Sequence, residues 1–243
     1  MKMDYKLLVQ QFLQNHSLKD LELEHGVYAS VSNNKRKISL SYDQIETKND
    51  DELSWDCRGL ILAKSDFNEF DVVDGKLNKD IMIGDTQIVA FPLRRFFNHG
   101  QEVANIDLQD KHLSVLEKVD GTFTILYFDQ FMHEWHVATR SVPEANLFID
   151  TSKFTFRTLF EEALKESNYS FKELTSKLDA TITYCFELTS PYNRIVVKYD
   201  DIELTLLAAR SLTTLKEIDI SNLDIGVQHV YTHNLSSLQF LLA

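Results

Sequence analysis

Hydrophobic residues recur along this chain with two different periods, one typical of helices and one typical of strands. Apolar residues return every three or four positions at 4–25 and again at 154–179, which is the spacing of a helix with one buried face. The first region predicts one or two short amphipathic helices. The second predicts helical structure that is interrupted near 168–170.

Elsewhere apolar and polar residues alternate, which is the period-two pattern of half-buried strands. Such runs occur at 27–31, 37–42, 59–62, 69–74, 87–91, 113–118, 122–128, 134–140, 181–188, 195–199 and 202–209. The whole pattern predicts one α+β domain over 1–243, with mixed, mainly antiparallel sheets, flanking helices and a helical and strand lead-in over about 1–50.

Two of the connections carry hairpin signals. An Asp-Gly pair between 113–118 and 122–128 predicts a tight turn, and Asp200-Asp201 predicts that 195–199 pairs with 202–209. The final run, 236–243, reads as the opening of a helix without a stop signal, so we expect a truncated sequence.

Composition narrows the class of protein. The hydrophobic fraction of 44%, with 16 Phe and 9 Tyr, is enough for a large core, and no run approaches the roughly 18 apolar residues of a membrane span. The N-terminal residues lack the pattern of a secretory signal. Cys57 and Cys185 form no zinc-type pair and predict small core residues in a reducing compartment. We therefore expect a cytoplasmic protein without a membrane partner.

The net charge of −12 argues against a protein that coats nucleic acid nonspecifically, because such proteins are usually basic. Charge alone favours a small-molecule or protein partner. An acidic protein can still bind one nucleic-acid end through a local basic cluster. Arginines suited to such a cluster stand at Arg94, Arg95, Arg140, Arg194 and Arg210.

The clearest candidate nucleophile is Lys118, in the string Glu117-Lys118-Val119-Asp120-Gly121. A Lys-x-Asp-Gly string arises by chance in roughly one chain in twenty of this size, and an Asp-Gly turn is an ordinary hairpin signal. A hairpin would also hold a nucleophilic lysine rigidly beside a nucleotide pocket. Both interpretations stay open on these residues alone.

Glu187 stands between Phe186 and Leu188 on an otherwise apolar strand. A carboxylate buried there needs a partner or a function, whereas alternation can instead place it on a solvent face. Asn193-Arg194, just beyond, suits either a phosphate or sugar contact or a surface turn.

Two further segments combine arginines with apolar residues. Arg58 begins a hydrophobic strand, and the following Gly59 lets another backbone approach closely. Arg94 and Arg95 lie among aromatic residues in 90–98. That mixture is usually a solvated turn over a hydrophobic patch, and it can also be a phosphate clamp beside a stacking surface.

Together, and in this order, the segments resemble the ATP-dependent RNA ligases of the phage T4 RNA ligase 1 type. The strings are Asp56-Cys57-Arg58-Gly59, 91–98, 117–122, Phe186-Glu187 with 191–196, and 206–210. The resemblance runs from about residue 20 to 212. It implies a covalent nucleotidyltransferase (ATP-grasp-like ligase) core, in the host cytoplasm if the gene belongs to a phage.

By this resemblance Lys118 attacks the α-phosphate of ATP and keeps AMP as a phosphoramidate. AMP then passes to an RNA 5′-phosphate, and a 3′-hydroxyl displaces it to seal the strand. Mg²⁺ would neutralise the leaving pyrophosphate. The implied partners are RNA ends, such as those of a nicked tRNA, and an end-healing kinase or phosphatase.

The resemblance also implies roles for the surrounding residues. Arg58 and Arg95 would hold the triphosphate and favour the neutral form of the lysine. Glu117 would lie beside adenine, and the Asp120-Gly121 turn would fix the approach of the lysine.

The remaining implied contacts are less direct. Glu187 would belong to the ribose and metal-water shell, with no other metal ligand identified. Arg140 stands in Thr139-Arg140-Ser141, where the family often has Lys-Gly-Ser, and would contact a phosphate. Arg194 would contribute to the nucleotide site.

The chain departs from the family pattern after Glu187, since no later Glu-Gly pair or closing pair of lysines is found. A second expectation follows, namely a catalytically incomplete or inactive module that binds nucleotide or RNA ends and is completed by another polypeptide. A DNA ligase or capping enzyme is disfavoured by the Arg-Gly, Phe-Phe-Asn and Asn-Arg-Ile-Val strings. We also expect the last core strands and a C-terminal specificity domain to be missing.

Overall fold

The structure is a computed structural model that describes residues 6–101, 103, 104, 114–149 and 153–233. Over these residues two mainly antiparallel sheets are packed with short helices, so the predicted α+β class is confirmed. No helix in this part of the chain is long and apolar enough to cross a membrane. The predicted helix at 236–243 lies outside the described residues.

The elements are few and mostly short. The helices are α1 (Leu8–Phe12), α2 (Leu18–His25), α3 (Glu52–Trp55), α4 (Phe156–Glu166) and α5 (Phe171–Ser176). The strands are β1 (Val27–Val31), β2 (Lys37–Tyr42), β3 (Arg58–Lys64), β4 (Val72–Val73), β5 (Lys76–Leu77), β6 (Thr86–Ala90), β7 (Val115–Leu116), β8 (Thr122–Asp129), β9 (Glu134–Thr139), β10 (Ile182–Thr189), β11 (Glu203–Ser211), β12 (Glu217–Ile218), β13 (Gln228–His229) and β14 (Thr232–His233).

The first sheet has the strand order β1-β2-β3-β6, and α1 and α2 help to enclose its core. The helix α2 begins where Ser17 Oγ accepts the N–H of Asp20, whose carboxylate in turn accepts the N–H of Ser17. It ends at Gly26, which has a φ of 60°. Leu18 and Leu21 are fully covered on its inner face.

The second sheet has the order β12-β11-β10-β8-β9, with β13 added in parallel beside β11. Its core includes residues of α4 and α5. Both helices start at capping boxes, at Thr155 and Ser170. The predicted interruption of this helical region is confirmed, because Asn168 takes a left-handed φ of 58° between the two helices.

The hairpin predicted between 113–118 and 122–128 is wrong. Only β7 forms in the first of these segments among the described residues, and it pairs with β14 instead of β8. Both edges of β8 are occupied, by β9 and by β10, so no third strand can join it. Gly121 also lacks the positive φ that a tight Asp-Gly turn requires.

An Asp-Gly hairpin does form elsewhere in the chain. Asp74 and Gly75 have φ values of 50° and 76°, and they join β4 to β5 in a two-residue turn. The strand predicted over 69–74 is correspondingly limited to Val72–Val73.

The strand predicted at 195–199 is also wrong, as is its pairing with 202–209. Residues 195–197 form bends and 198–199 have no regular structure, and β11 pairs instead with β10, β12 and β13. Because β10 lies between β8 and β11, it offers no free edge to this apolar segment. The segment remains on the surface, where Val196 is 71% exposed.

The two sheets meet across a shared apolar cluster that includes Ile61, Ala90, Ile125 and Ala138. A charged pair is buried beside this contact. Lys37 Nζ of β2 lies 2.6 Å from Asp129 Oδ2, at the end of β8, and both side chains are almost completely covered.

The positive charge of Lys37 offsets the cost of burying the negative charge of Asp129. Burial alone would raise the pKa of the Asp129 carboxyl, but the hydrogen bond and charge of Lys37, together with the backbone N–H groups of Phe131 and Met132, hold that pKa below its ordinary value. Glu144 Oε1, 3.3 Å from Lys37 Nζ, adds a second carboxylate. The pair therefore fixes the first sheet to the second through an interaction that neither partner can lose alone.

Lys37→Met is expected to lower the free energy of unfolding by about 3–5 kcal/mol, because Asp129 would remain as a buried charge without its partner. Denaturant unfolding at pH 7 measures the loss. Lys19→Met is the matched control, since it removes an ion pair with Asp80 whose two side chains are mostly exposed. Equal losses in the two variants would contradict the structural role of the buried pair.

Candidate functional site

Lys118 lies in the loop 117–120 between β7 and β8, and it is exposed to solvent. On the β7 side, the N–H of Glu117 donates to the carbonyl of Tyr231 at 2.9 Å. On the β8 side, the N–H of Gly121 donates to Glu187 Oε1 at 3.1 Å. The loop is therefore held at both ends by segments that are distant in sequence, although it is not part of a hairpin.

Asp120 connects this loop to the exposed segment 195–199. Its Oδ2 accepts the N–H groups of Val196 at 2.9 Å and Val197 at 2.7 Å, while its own N–H donates to Tyr199 Oη at 3.3 Å. These backbone hydrogen bonds, with the charge of Lys118, lower the pKa of the Asp120 carboxyl. Asp120 is thus an ionised anchor beside the lysine.

Gly121 occupies a position where no side chain fits. A Cβ built there would lie 2.5 Å from the carbonyl oxygen of Leu188. The close approach brings the N–H of Gly121 within reach of Glu187, so glycine here serves the packing of β8 on β10.

Glu187 is buried on β10, only 8% exposed, so the alternative of a solvent-facing position is excluded. Burial raises the pKa of its carboxyl, and this effect outweighs the Gly121 hydrogen bond and the charges of Arg58 and Lys118, which lower it. Asp120 raises the pKa further. The carboxylate therefore lies among the charged groups of the site. Its one described hydrogen bond is accepted from the backbone N–H of Gly121.

Arg58 lies between two aromatic rings at the start of β3. The centre of its guanidinium is 4.1 Å from the ring centroid of Phe123 and 4.7 Å from that of Phe96. Its Nη1 is buried and has no hydrogen-bond partner. Burial lowers the pKa of this guanidinium, an effect that Arg140 reinforces and Glu187 opposes. An unpaired buried donor of this kind suits an anionic ligand.

Arg140 follows β9 and comes close to the first sheet. Its Nη2 donates to the carbonyl of Tyr42, its guanidinium lies 4.2 Å from the Tyr42 ring centroid, and its Nε is buried without a partner. The approach predicted at Gly59 is confirmed. Gly59 has a φ of 88°. A Cβ built there would lie 2.6 Å from Ile125 Cδ1 and 3.2 Å from the carbonyl oxygen of Arg140.

Arg95 makes more protein contacts than the resemblance implies. Its Nη1 donates to the carbonyl of Lys48 at 2.9 Å, and its Nη2 donates to Asn49 Oδ1 at 2.7 Å. Its guanidinium also lies 4.6 Å from the Tyr42 ring centroid. These contacts fix the loop 47–49, and the contact with a triphosphate stays a prediction. Arg94 instead pairs with Asp56 at 2.6 Å.

Asn193 and Arg194 follow the end of β10 and have different surroundings. Asn193 Nδ2 donates to Thr122 Oγ1 and to the carbonyl of Leu188, each at 2.9 Å, so it fixes the turn to the start of β8. Arg194 is exposed and its Nε donates to the carbonyl of Val196 at 3.4 Å. The surface-turn interpretation therefore describes Asn193, and a nucleotide contact of Arg194 stays a prediction.

Glu187 accepts the N–H of Gly121 and lies within electrostatic range of Lys118, Asp120 and Arg58, and Arg140 lies within electrostatic range of Arg58. The side chain of Glu117 is exposed, and its place beside adenine stays a prediction. Sequence patterns did not single out Phe123, Tyr42 or Tyr199. Each is an aromatic residue next to a charged motif, but that signal does not distinguish a site residue from a core residue.

Within the ranges that the structure describes, no group of three or more His, Cys, Asp and Glu side chains could hold a metal ion. A cleft of about 390 Å³ opens beside Arg140, lined also by Ser41, Tyr42, Asp43, Gln44, Ile45 and Ser141. Arg140 is therefore the arginine that borders this open space.

Comparison with known proteins places these residues in context. A family model described as RNA ligase matches residues 56–230, well over half of the chain. A putative bifunctional polynucleotide kinase/RNA ligase of Autographa californica nuclear polyhedrosis virus is 30% identical over 231 residues, covering 89% of this chain and 30% of the relative. An RNA ligase of Rhodothermus phage RM378 is 26% identical over 184 residues, covering 64% of this chain and 37% of the relative.

The chain thus spans about a third of the length of these relatives. A solved archaeal ATP-dependent RNA ligase matches with a TM-score of 0.49 and 15% identity, covering 92% of this chain and 53% of the other. A Naegleria gruberi RNA ligase variant with ATP and Mn matches with a TM-score of 0.37 and 13% identity, covering 50% of this chain and 35% of the other.

Glu187→Gln is expected to stabilise the protein at pH 8. The pKa of Glu187 is raised in the folded state, so wild-type stability decreases as pH rises from the unfolded pKa through the folded one. Glutamine keeps an acceptor for the N–H of Gly121 without a buried charge. The difference in stability between the variant and the wild type should therefore disappear as pH falls below the ordinary glutamate pKa.

Thermal unfolding at pH 4 and pH 8 measures this difference. Glu69→Gln is the matched control, because it removes an exposed carboxylate and should follow the wild type at both pH values. A Glu187→Gln variant less stable than the wild type at pH 8 would contradict the expected direction.

Proposed function

The chain belongs to the RNA ligase family, and on that premise we propose that it joins RNA ends through an AMP group carried on Lys118. In the first step the Lys118 Nζ–P bond forms at the α-phosphate of ATP, the bond to pyrophosphate breaks, and the amine proton passes to solvent. An RNA 5′-phosphate then takes the AMP, and a 3′-hydroxyl displaces AMP to form the phosphodiester.

The arrangement around Lys118 is the observation that carries this proposal. The lysine is exposed and within electrostatic range of two carboxylates, Asp120 and Glu187, while hydrogen bonds of Glu117, Asp120 and Gly121 hold its loop. A nucleophile held in place from both sides loses less entropy on reaching the phosphate. Exposure leaves its amine accessible to a nucleotide and then to an RNA end.

The buried arginine atoms support a phosphate-bearing ligand. Arg58 Nη1 and Arg140 Nε are both buried without a hydrogen-bond partner, and the two guanidinium groups repel each other. Phosphate oxygens would satisfy both donors and offset the repulsion between the cations. These residues therefore fit the triphosphate of ATP, which supplies the AMP.

Mg²⁺ would be held mainly by the phosphate oxygens of ATP, with Glu187 reaching it through water. When bound, the ion would neutralise charge on the pyrophosphate leaving group. The carboxylate of Glu187 is well placed for a second task, since its hydrogen bond with Gly121 fixes the strand that follows the lysine loop.

The substrate class is RNA with a 5′-phosphate and a 3′-hydroxyl, such as a nicked tRNA. One viral relative is named a polynucleotide kinase/RNA ligase, and a kinase is the type of activity that supplies 5′-phosphate ends. We therefore propose that this chain works with an end-healing kinase or phosphatase. The acidic net charge favours recognition of an end over binding along the backbone.

Incubation with ATP and Mg²⁺ is expected to add the mass of one AMP to the wild type and none to Lys118→Ala. Intact-mass spectrometry followed by peptide mapping locates the adduct. Lys165→Ala is the matched control, since this lysine is exposed on α4 and pairs with Glu162. It should carry the adduct as the wild type does.

An adduct on the wild type that persists in Lys118→Ala would overturn the assignment of the nucleophile. Absence of any adduct, together with measurable binding of ATP, would favour the ligase-like module that binds nucleotide or RNA ends without catalysis.

A further inference from the structure

Tyr42, at the end of β2, is in contact with two of the three arginines expected to bind phosphate. Its side chain is nearly buried, and the guanidinium groups of Arg140 and Arg95 lie 4.2 Å and 4.6 Å from its ring centroid. A guanidinium within about 6 Å of a ring centroid is attracted by the negative face of the ring. Tyr42 therefore connects two cations that belong to different parts of the chain.

The backbone of Tyr42 links the same ring to the third arginine. Its carbonyl accepts a hydrogen bond from Arg140 Nη2, and its N–H donates to the carbonyl of Cys57 at 2.8 Å. Cys57 immediately precedes Arg58, and Tyr42 is among the groups that act electrostatically on the Arg58 guanidinium. A register shift in the pairing of β2 with β3 occurs just before these contacts.

This arrangement opposes the electrostatic repulsion between neighbouring guanidinium groups. The charge of Arg140 lowers the pKa of the Arg58 guanidinium, which Glu187 only partly opposes, and Asp43 is a carboxylate that interacts electrostatically with Arg140. Without a bound anion, like charges tend to separate and the side chains lose a common orientation. An aromatic ring attracts guanidinium groups without neutralising them, so it can hold Arg140 in place while Arg140 Nε stays available to phosphate.

We propose that Tyr42 is a positioning residue that holds Arg140 in register with Arg58, so that the unpartnered donors of these two guanidinium groups bind one polyphosphate, while Arg95 packs against the same ring and fixes the loop 47–49. This inference rests on the proposed function, because the polyphosphate is that of ATP. The cleft of about 390 Å³ beside Arg140 and Tyr42 gives a phosphate group access to Arg140. Tyr42 itself makes no contact with the reacting atoms.

The test measures binding of inorganic triphosphate and of ATP by calorimetry to the wild type, Tyr42→Phe and Tyr42→Leu. The phenylalanine variant keeps the ring and should bind within about twofold of the wild type. The leucine variant loses the ring face and should bind about tenfold more weakly, as expected for two lost cation–π contacts. Tyr28→Leu is the control, since that ring lies under Lys79 instead, and it should bind as the wild type does.

Tyr42 belongs to the first core, so replacement by leucine also removes core packing, and a second series that conserves the shape of the ring separates the two effects. Phenylalanine at position 42 is replaced by its mono-, di- and trifluoro analogues, which keep the size of the ring while weakening its negative face. Triphosphate binding should weaken stepwise with each fluorine while the melting temperature stays constant. Constant affinity across the series would overturn the proposal, as would wild-type affinity in folded Tyr42→Leu.

AMP transfer to Lys118 is followed in the same samples by intact mass, which separates this proposal from the proposed function. An adduct on the wild type with unchanged triphosphate affinity in the ring variants would overturn the role of Tyr42 alone. Loss of affinity along the series without any adduct on the wild type would support Tyr42 and overturn the ligase chemistry. A wild type that fails to bind triphosphate would overturn both.

Discussion

Both edges of β8 are occupied, by β9 on one side and by β10 on the other, and this saturation determines where the reactive residues lie. A segment that precedes β8 cannot fold back against it, so the residues around Lys118 leave the sheet as a loop. The same condition at β10, which lies between β8 and β11, leaves 195–199 without a strand partner. The carboxylate of Asp120 then satisfies the backbone donors of that displaced segment.

Two ways of burying charge coexist in the molecule. Lys37 and Asp129 form an ion pair inside the protein, so folding itself supplies each buried charge with a partner of opposite sign. Arg58 and Arg140 instead keep buried donors without partners. An anion that accepts hydrogen bonds from these donors would therefore stabilise this region when it binds.

The alternation of apolar residues predicted the fold class and most of the strands, because a two-residue period records directly which face of a strand is buried. The same pattern failed at 195–199, where an apolar run has no free edge to join. The Asp-Gly signal likewise marks a true turn at Asp74-Gly75 but not at Asp120-Gly121. Edge occupancy is a property of the assembled sheet, so local spacing cannot reveal it.

Prediction of the site had a similar limit. Motif order identified Lys118, Glu187 and Arg58 as residues to examine, and the structure brings them together. It could not distinguish Tyr42 from an ordinary core residue, because the arginines around its ring come from β9 and from the segment after β6. The extensive backbone contacts of Arg95 were equally invisible, since the loop 47–49 has no pattern of its own.

The pairing of β7 with β14 has a consequence for the order in which the protein acquires its structure. Leu116 and Thr232 face each other although they are more than a hundred residues apart along the chain. Contacts of such high sequence separation close late, after local helices and hairpins have formed. On the ribosome, the strand that leads into Lys118 therefore stays without this partner until residue 232 has emerged, so the loop of the candidate nucleophile is held at its β7 end only late in synthesis.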